Sequence, residues 1–492
     1  MLLDQFMGAP LSGGGWPGVV DPRQWQQHNA AVDAFYKALT GAGGTDVATL
    51  TGGAALRRES IEAALIVATV RPEHFVFWNR VPKTPATALI HEFGRQTDIG
   101  GIPGSGAVGE QSTIPENTGT YDRGVTKIKL LKDRRIVTLE AELQASNGLA
   151  SAIARETNNG ALKLTTDAEF LSFYGDESVN PFEFNGLVKL LGALGGDHVI
   201  DMRGQPMPAD VRQIVHGAHV IWDQNNWGMA TDFICSGLVQ ADIDQNLAPG
   251  YRVDLVKGAD KLEYGAPVFK IKTRFGTIDS TPSVFIQESG PPFVVRGGNY
   301  AAQIAASGTS VPSSIAGVAS SNAASKFLAA HAGLYYYGVQ AIRPEGDSAL
   351  VVSAQVTVAA GDRVAVTITP PGGNNASGYR VFRGRRNGTN APADLREIAR
   401  IPANGDVAVV YNDDNQNIPG TSIGVLLTMK EEAIVMKRFA GMLRFPLSAT
   451  VSTIHTWAQV LDVALQLSLE RQHVLIKNIL PSGAATEWDP FN

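Results

Sequence analysis

The longest periodic stretch of the chain runs from Gly148 to Gly175, GLASAIARETNNGALKLTTDAEFLSFYG. Leu149, Ile153, Thr157, Ala161, Leu164, Ala168 and Leu171 recur at steps of four and three, which puts them on one face of an α-helix. Arg155, Glu156, Lys163, Asp167 and Glu169 fall largely on the other side. At roughly 1.5 Å per residue the helix runs about 40 Å. Asn158-Asn159-Gly160 is its weak point, because glycine costs about 1 kcal/mol against alanine in a helix interior. A kink there, or a start after it, fits the pattern. Gly175 stands where a left-handed C-cap would want it.

Before this helix the chain reads differently. Residues 1–50 are Gly- and Pro-rich with one short helix near Gln24 to Leu39, an arm expected to pack against something other than itself. Ala54 to Val70, with Leu56, Ile61, Leu65 and Ile66 apolar, reads as a short amphipathic helix that Arg71-Pro72 ends. From His74 the period drops to two, so FVFWNRVP and ATALIHEFGR read as strands. The loop TDIGGIPGSGAVGEQSTIPENTGTYDRG follows, and the chain returns as the alternating GVTKIKLLKDRRIVTLEAEL, with its basic residues expected on one face. Together these predict an extended hairpin. A loop of that length is unusual inside a compact domain and is expected to become ordered against a partner.

After the helix the pattern is mixed α/β. PADVRQIVHGAHVIWDQN predicts a helix burying Val211, Ile214, Val215, His219 and Trp222. TDFICSGLVQADIDQN predicts a strand and a short helix, and GAPVFKIKTRFGTIDSTPSVFIQ at least two strands. Residues 297–330, rich in Gly, Ala and Ser, read as a linker. Six short alternating runs come next: LYYYGVQAI, ALVVSAQVTV, DRVAVTITPP, SGYRVFRG, LREIARI and DVAVVY. In the third, Val364, Val366 and Ile368 point one way and Arg363, Thr367 and Thr369 the other, which predicts an inserted immunoglobulin-like β-sandwich. Helical patterning is expected again from Met429, before a closing strand in RQHVLIKNIL.

Composition narrows the function classes. The 492 residues suffice for two or three domains, and 44% hydrophobic with 18% charged content is that of a globular chain. A net charge of −6 disfavours tight, direct DNA binding. The single cysteine, Cys235, excludes an intrachain disulfide and a CxxC metal site. The opening MLLDQFMGAPLSGGGWPG has no basic region ahead of an apolar core and is not read as a signal peptide, and no apolar run reaches a membrane span.

Three motifs offer chemistry and lack its context. Gly104 to Gly109 matches GxGxxG, but Glu110, Gln111 and then Pro115 follow with no helical period, so no helix opens behind it. Gly420 to Gly424 matches GxSxG around Ser422, yet a proline-containing loop leads in and strand-like residues follow. His216 and His219 lie one helical turn apart with no third ligand at metal spacing. The reading is therefore of a non-enzyme with no catalytic, cofactor or metal residues. Lys127, Lys129, Lys132, Arg134 and Arg135 are the candidate site; they could meet a phosphate backbone, but a solvated strand face or a salt-bridging contact with a neighbouring acidic subunit is the preferred reading.

The order of parts, with TGGAALRRESIE (51–62), FVFWNRVPKTPATALIHEF (75–93) and AEFLSFYGD (168–176), resembles the major capsid protein of tailed double-stranded DNA bacteriophages, the Hong Kong 97-type fold. YYYGVQAI with SGYRVFRG resembles the immunoglobulin-like insertion that several such proteins carry. The resemblance implies an α+β chain divided into an N-terminal arm (1–72), an extended hairpin (73–145) and a spine helix with peripheral domain (146–180). Axial domain and peripheral strands (181–329), insertion (330–424), and a return to the core with a closing peripheral strand (425–492) complete it. It further implies self-assembly into hexamers and pentamers of an icosahedral virion shell, built in the host bacterial cytoplasm. The implied partners are a scaffolding protein, a portal and a decoration protein, around DNA that is enclosed without sequence-specific binding. The competing readings are an adhesin that uses the β-sandwich on a receptor or sugar, and a hydrolase using Ser422.

Overall fold

The computed structural model describes residues 70–145, 151–208, 210–223, 226–246, 268–286, 311–343, 346–447, 453–482 and 488–491. The chain divides into two compact units, Met1–Val67 and Ala68–Asn492. The first, with the expected arm and its helices, lies outside the described residues.

Helix Ala152–Tyr174 is continuous through Asn158-Asn159-Gly160. The glycine belongs there because a Cβ would come within 2.1 Å of the Gln459 side chain, so a sheet closes onto the helix at that point. Ser151 caps the start by accepting the Ala154 N–H. The expected left-handed cap is absent: Gly175 has φ −59° and ψ 139°. What demands glycine is space, since a Cβ would stand 2.1 Å from the Phe184 carbonyl oxygen. Leu164, Ala168, Leu171 and Phe173 face the core, and so does Glu169, which the periodicity had placed on the solvent side.

The helix packs on a five-stranded sheet centred on Ile454–Leu467. Lys129–Thr138 runs antiparallel along one edge of that strand and Leu443–Leu447 along the other. Ile434–Arg438 pairs with residues 463–467 and carries Lys83–Pro85 in parallel. Helix and sheet share a core in which Leu164, Ala168 and Phe173 join Met436, Leu461 and Val463. The helical patterning expected from Met429 is thus corrected to strands. Its apolar spacing fits either period, and pairing with Ile454–Leu467 decides it.

FVFWNRVP is not a strand either; Val76–Arg80 is a short helix with Phe77 buried. The hairpin pairs Ile90–Asp98 with Thr120–Lys127, with no helix or strand in 99–119; the returning run is not one strand, since Lys129–Thr138 leaves for the sheet under the long helix and Leu139–Ala145 is helical.

A six-stranded sheet forms the α/β part, in the order Val199–Asp201, Val474–Ile479, Ser422–Leu427, Asp232–Cys235, Gly276–Pro282, Lys270–Thr273. The closing strand Val474–Ile479 therefore lies in this sheet and not in the one under the long helix. Helix Arg212–Trp222 covers it with Ile214, Gly217, Ala218 and Ile221. His219 and Trp222, expected to be buried, stand outward, their rings 5.2 Å and 5.5 Å from that of Phe275. Gly217 and Ala218 let the helix sit close between Ile214 and Ile221, and the His219 and Trp222 rings fall outside that seam.

All six alternating runs form strands of a β module. One sheet orders Val351–Val352, Tyr337–Ile342, Gly378–Gly384 and Leu395–Pro402; another orders Val409–Asp413, Asp362–Thr369 and Ser314–Ser321; Gly333–Tyr335 pairs with Val356–Val358. Val364, Val366 and Ile368 are fully buried in the module's own core. Ser314–Ser321 lies in the expected linker, so the module begins before residue 330. Small residues pack well in that strand, where Gly317 sits against Val356.

Candidate assembly surface

Hydrogen bonds and ion pairs fasten the root of the hairpin to the body. Glu169 on the long helix accepts the backbone N–H groups of Phe77 at 2.9 Å and Trp78 at 2.6 Å. Lys83 bonds the Trp78 carbonyl and lies over its ring. Further out, Arg95 bridges Asp122 of the facing strand at 2.7 Å and Glu470 of the body at 3.2 Å. Gly124 is required opposite Phe93, whose ring would meet a Cβ at 2.3 Å.

Beyond Arg95 the hairpin changes character. Between Arg95 and Arg123 every charged residue is acidic: Asp98, Glu110, Glu116 and Asp122. Ile99, Ile102 and Ile114 are 86%, 78% and 79% exposed, which leaves the tip apolar, acidic and uncovered by the other described residues.

The five expected site residues do not share a face. Arg134 and Arg135 are adjacent in one strand, so the two-residue period sends them to opposite sides. Lys129 and Arg135 point toward the long helix. Lys127 and Lys129 both hold Glu177, at 2.9 Å and 3.0 Å, and Arg135 holds Glu156 at 3.0 Å. Burial alone would raise the Glu177 carboxyl; the bonds from Lys127 and Lys129 hold it below its ordinary value. These three are therefore engaged within the subunit.

Lys132 and Arg134 lie on the outer face. Register places Lys132, Val460 and Leu443 in one row, Arg134, Ala458 and Phe445 in the next, and Ile136, Thr456 and Leu447 in a third. Leu130, Ile136, Leu443, Phe445 and Leu447 are all exposed. Sequence reasoning missed this apolar, basic sheet face because LRFPL was read as helix; its own alternation was the available signal.

Gly104 to Gly109 lies in the hairpin loop, and Ser422 is buried at the start of a strand. Among the described residues no three His, Cys, Asp or Glu side chains gather as metal ligands, and no helix is long and apolar enough to cross a membrane. Cys235 is buried, which raises its thiol above the ordinary value.

No family model matches the chain. It is 24% identical over 174 residues to the major capsid protein of Staphylococcus phage K, a stretch that is 34% of this chain and 36% of that protein. It is also 24% identical over 230 residues to the putative major capsid protein of Enterococcus phage phiEF24C, covering 45% and 48%. The similarity thus spans about a third to a half of each relative's length. Solved structures overlap it loosely across most of its length. The capsid of native GTA particle gives 9% identity, 88% and 99% coverage and a TM-score of 0.43. Mycobacterium phage Bobi gives 8%, 86%, 96% and 0.42.

The fold is α+β, with an extended hairpin, a long helix, its sheet and an α/β sheet in the order that the resemblance implies. The curated proteins that the chain matches in sequence are phage major capsid proteins, and none of those reported is an adhesin.

Proposed function

We propose that the chain is a structural major capsid protein, copies of which assemble as hexamers and pentamers into an icosahedral shell around packaged phage DNA. The observation that carries this is the complementarity of two surfaces that the described residues of one copy leave bare. The hairpin tip is apolar and acidic; the outer sheet face with Lys132 and Arg134 is apolar and basic. Joining them between copies buries both and matches their charges. In this reading Lys132 and Arg134 are inter-subunit contacts, the β module is an immunoglobulin-like accessory, and scaffolding, portal and decoration proteins are the partners in the virion.

Sedimentation tests the reading. Replacing 99–119 by a short Gly/Ser turn is expected to leave folded subunits that no longer form large particles. Particles of normal size from that variant would refute the role given to the tip.

A further inference from the structure

Helix Leu187–Leu194, the module strand Leu395–Pro402 and the body strand Val474–Ile479 enclose a crevice of about 560 Å³. That volume falls in the range of small-molecule sites. Val188, Ile398 and Leu475 supply apolar walls, and three cations line it. Two are already paired: Lys189 with Asp176 at 2.9 Å and Arg400 with Glu397 at 2.7 Å. The third, Lys477, has no carboxylate within ion-pair distance among the described residues. Its register neighbour Asp201 is taken by Lys326 at 3.0 Å and Asn478 at 2.7 Å. Burial, with the Lys326 charge, lowers the Lys477 ammonium below its ordinary value against the opposing pull of Asp201.

A half-buried ammonium beside apolar walls is under-solvated, and an incoming carboxylate restores its charge balance. We propose that this crevice binds a small amphipathic carboxylate, with its anionic end on Lys477 Nζ and its apolar body against Val188, Ile398 and Leu475. The site is separate from the assembly surface and does not rest on the capsid reading.

Isothermal titration of the full chain with decanoate, and with 1-decanol as the uncharged comparison, tests it. Decanoate is expected to bind one to one and about tenfold more tightly than decanol, as a charge-assisted hydrogen bond gives. Lys477→Met keeps the aliphatic stem and should abolish that preference at an unchanged melting temperature; Lys477→Arg should keep it. Gly192→Trp puts a ring into the crevice from a position whose Cβ meets nothing within 4 Å, and should abolish binding of both compounds. Absence of saturable decanoate binding to the unaltered chain would overturn the proposal. So would decanoate binding that neither Lys477→Met nor Gly192→Trp changes. If Lys477→Met does not fold, Gly192→Trp decides.

Discussion

Glu169 accepts the backbone N–H of Trp78 at 2.6 Å across 91 residues of sequence, joining the long helix to the root of the hairpin. Burial pushes its carboxyl up to about 7, against the two N–H bonds and Lys83, which favour the charged form. The folded value lies above the unfolded one, so the folded state holds this proton more firmly. The stability linked to it is complete below about 4.5 and is lost as pH rises through about 7. Glu169→Gln should flatten the change in melting temperature over that window. Glu169→Ala leaves two inward N–H groups without a partner and should cost roughly 2–4 kcal/mol. An unchanged pH profile in Glu169→Gln would show that the proton sits elsewhere.

Inside the β module Arg383 is fully buried, bonded to Asp413 at 2.7 Å and to Asn415 at 2.7 Å, with Tyr337 donating to Asp413 at 2.9 Å. Removing one partner strands the other charge in the core. Asp413→Ala should therefore destabilise the module by about 3–5 kcal/mol, read by thermal unfolding. A shift within the range of surface substitutions would contradict this.

The module is braced as well as inserted. Arg396 lies 4.8 Å over Trp488, His331 stacks at 3.9 Å on Phe491, and Arg386 donates its backbone N–H to Pro490 at 3.0 Å. Arg400 lies over Phe170 and Tyr174 of the long helix. Trp488→Ala should speed amide exchange in Leu395–Pro402 while leaving the hairpin unaffected; equal exchange would mean the tail does not hold it. A clean excision must begin before Ser314, since a cut at Leu334 strips Ser314–Ser321 of its partner strand Asp362–Thr369. Particles lacking the whole module, thinner at the outer surface, are the expected product; folded subunits that no longer assemble would make it a staple between capsomers.

Lys132→Glu with Arg134→Glu should block assembly while moving subunit stability by no more than about 0.5 kcal/mol, as exposed substitutions do. Unimpaired assembly would remove both from the contact.

Residues 85–130 should be cut readily by protease in the free subunit and protected in particles. Equal digestion rates would count against docking of the tip.

How much of this was legible follows from which signals are local. The long helix, the hairpin and the six alternating runs carry their own period and turn residues, and each appears. The strands after Met429 do not, because pairing with a strand further along the chain, as of Ile434 with Leu467 and Leu443 with Val460, selects between two periods that both fit. Glu169 looked like a surface residue because periodicity places a side chain and cannot see the two N–H groups that make its burial tolerable. At the candidate site, the charge of Lys132 and Arg134 was readable, but the apolar rows beside them exist only once Leu443–Leu447 pairs with Ile454–Leu467.

Negative-stain electron microscopy of the purified full chain, with and without a scaffolding protein, tests the central claim most directly. Closed shells, or rings of five and six subunits, are the predicted result. A stable, compact monomer under all these conditions, its hairpin tip already resistant to protease, would contradict it.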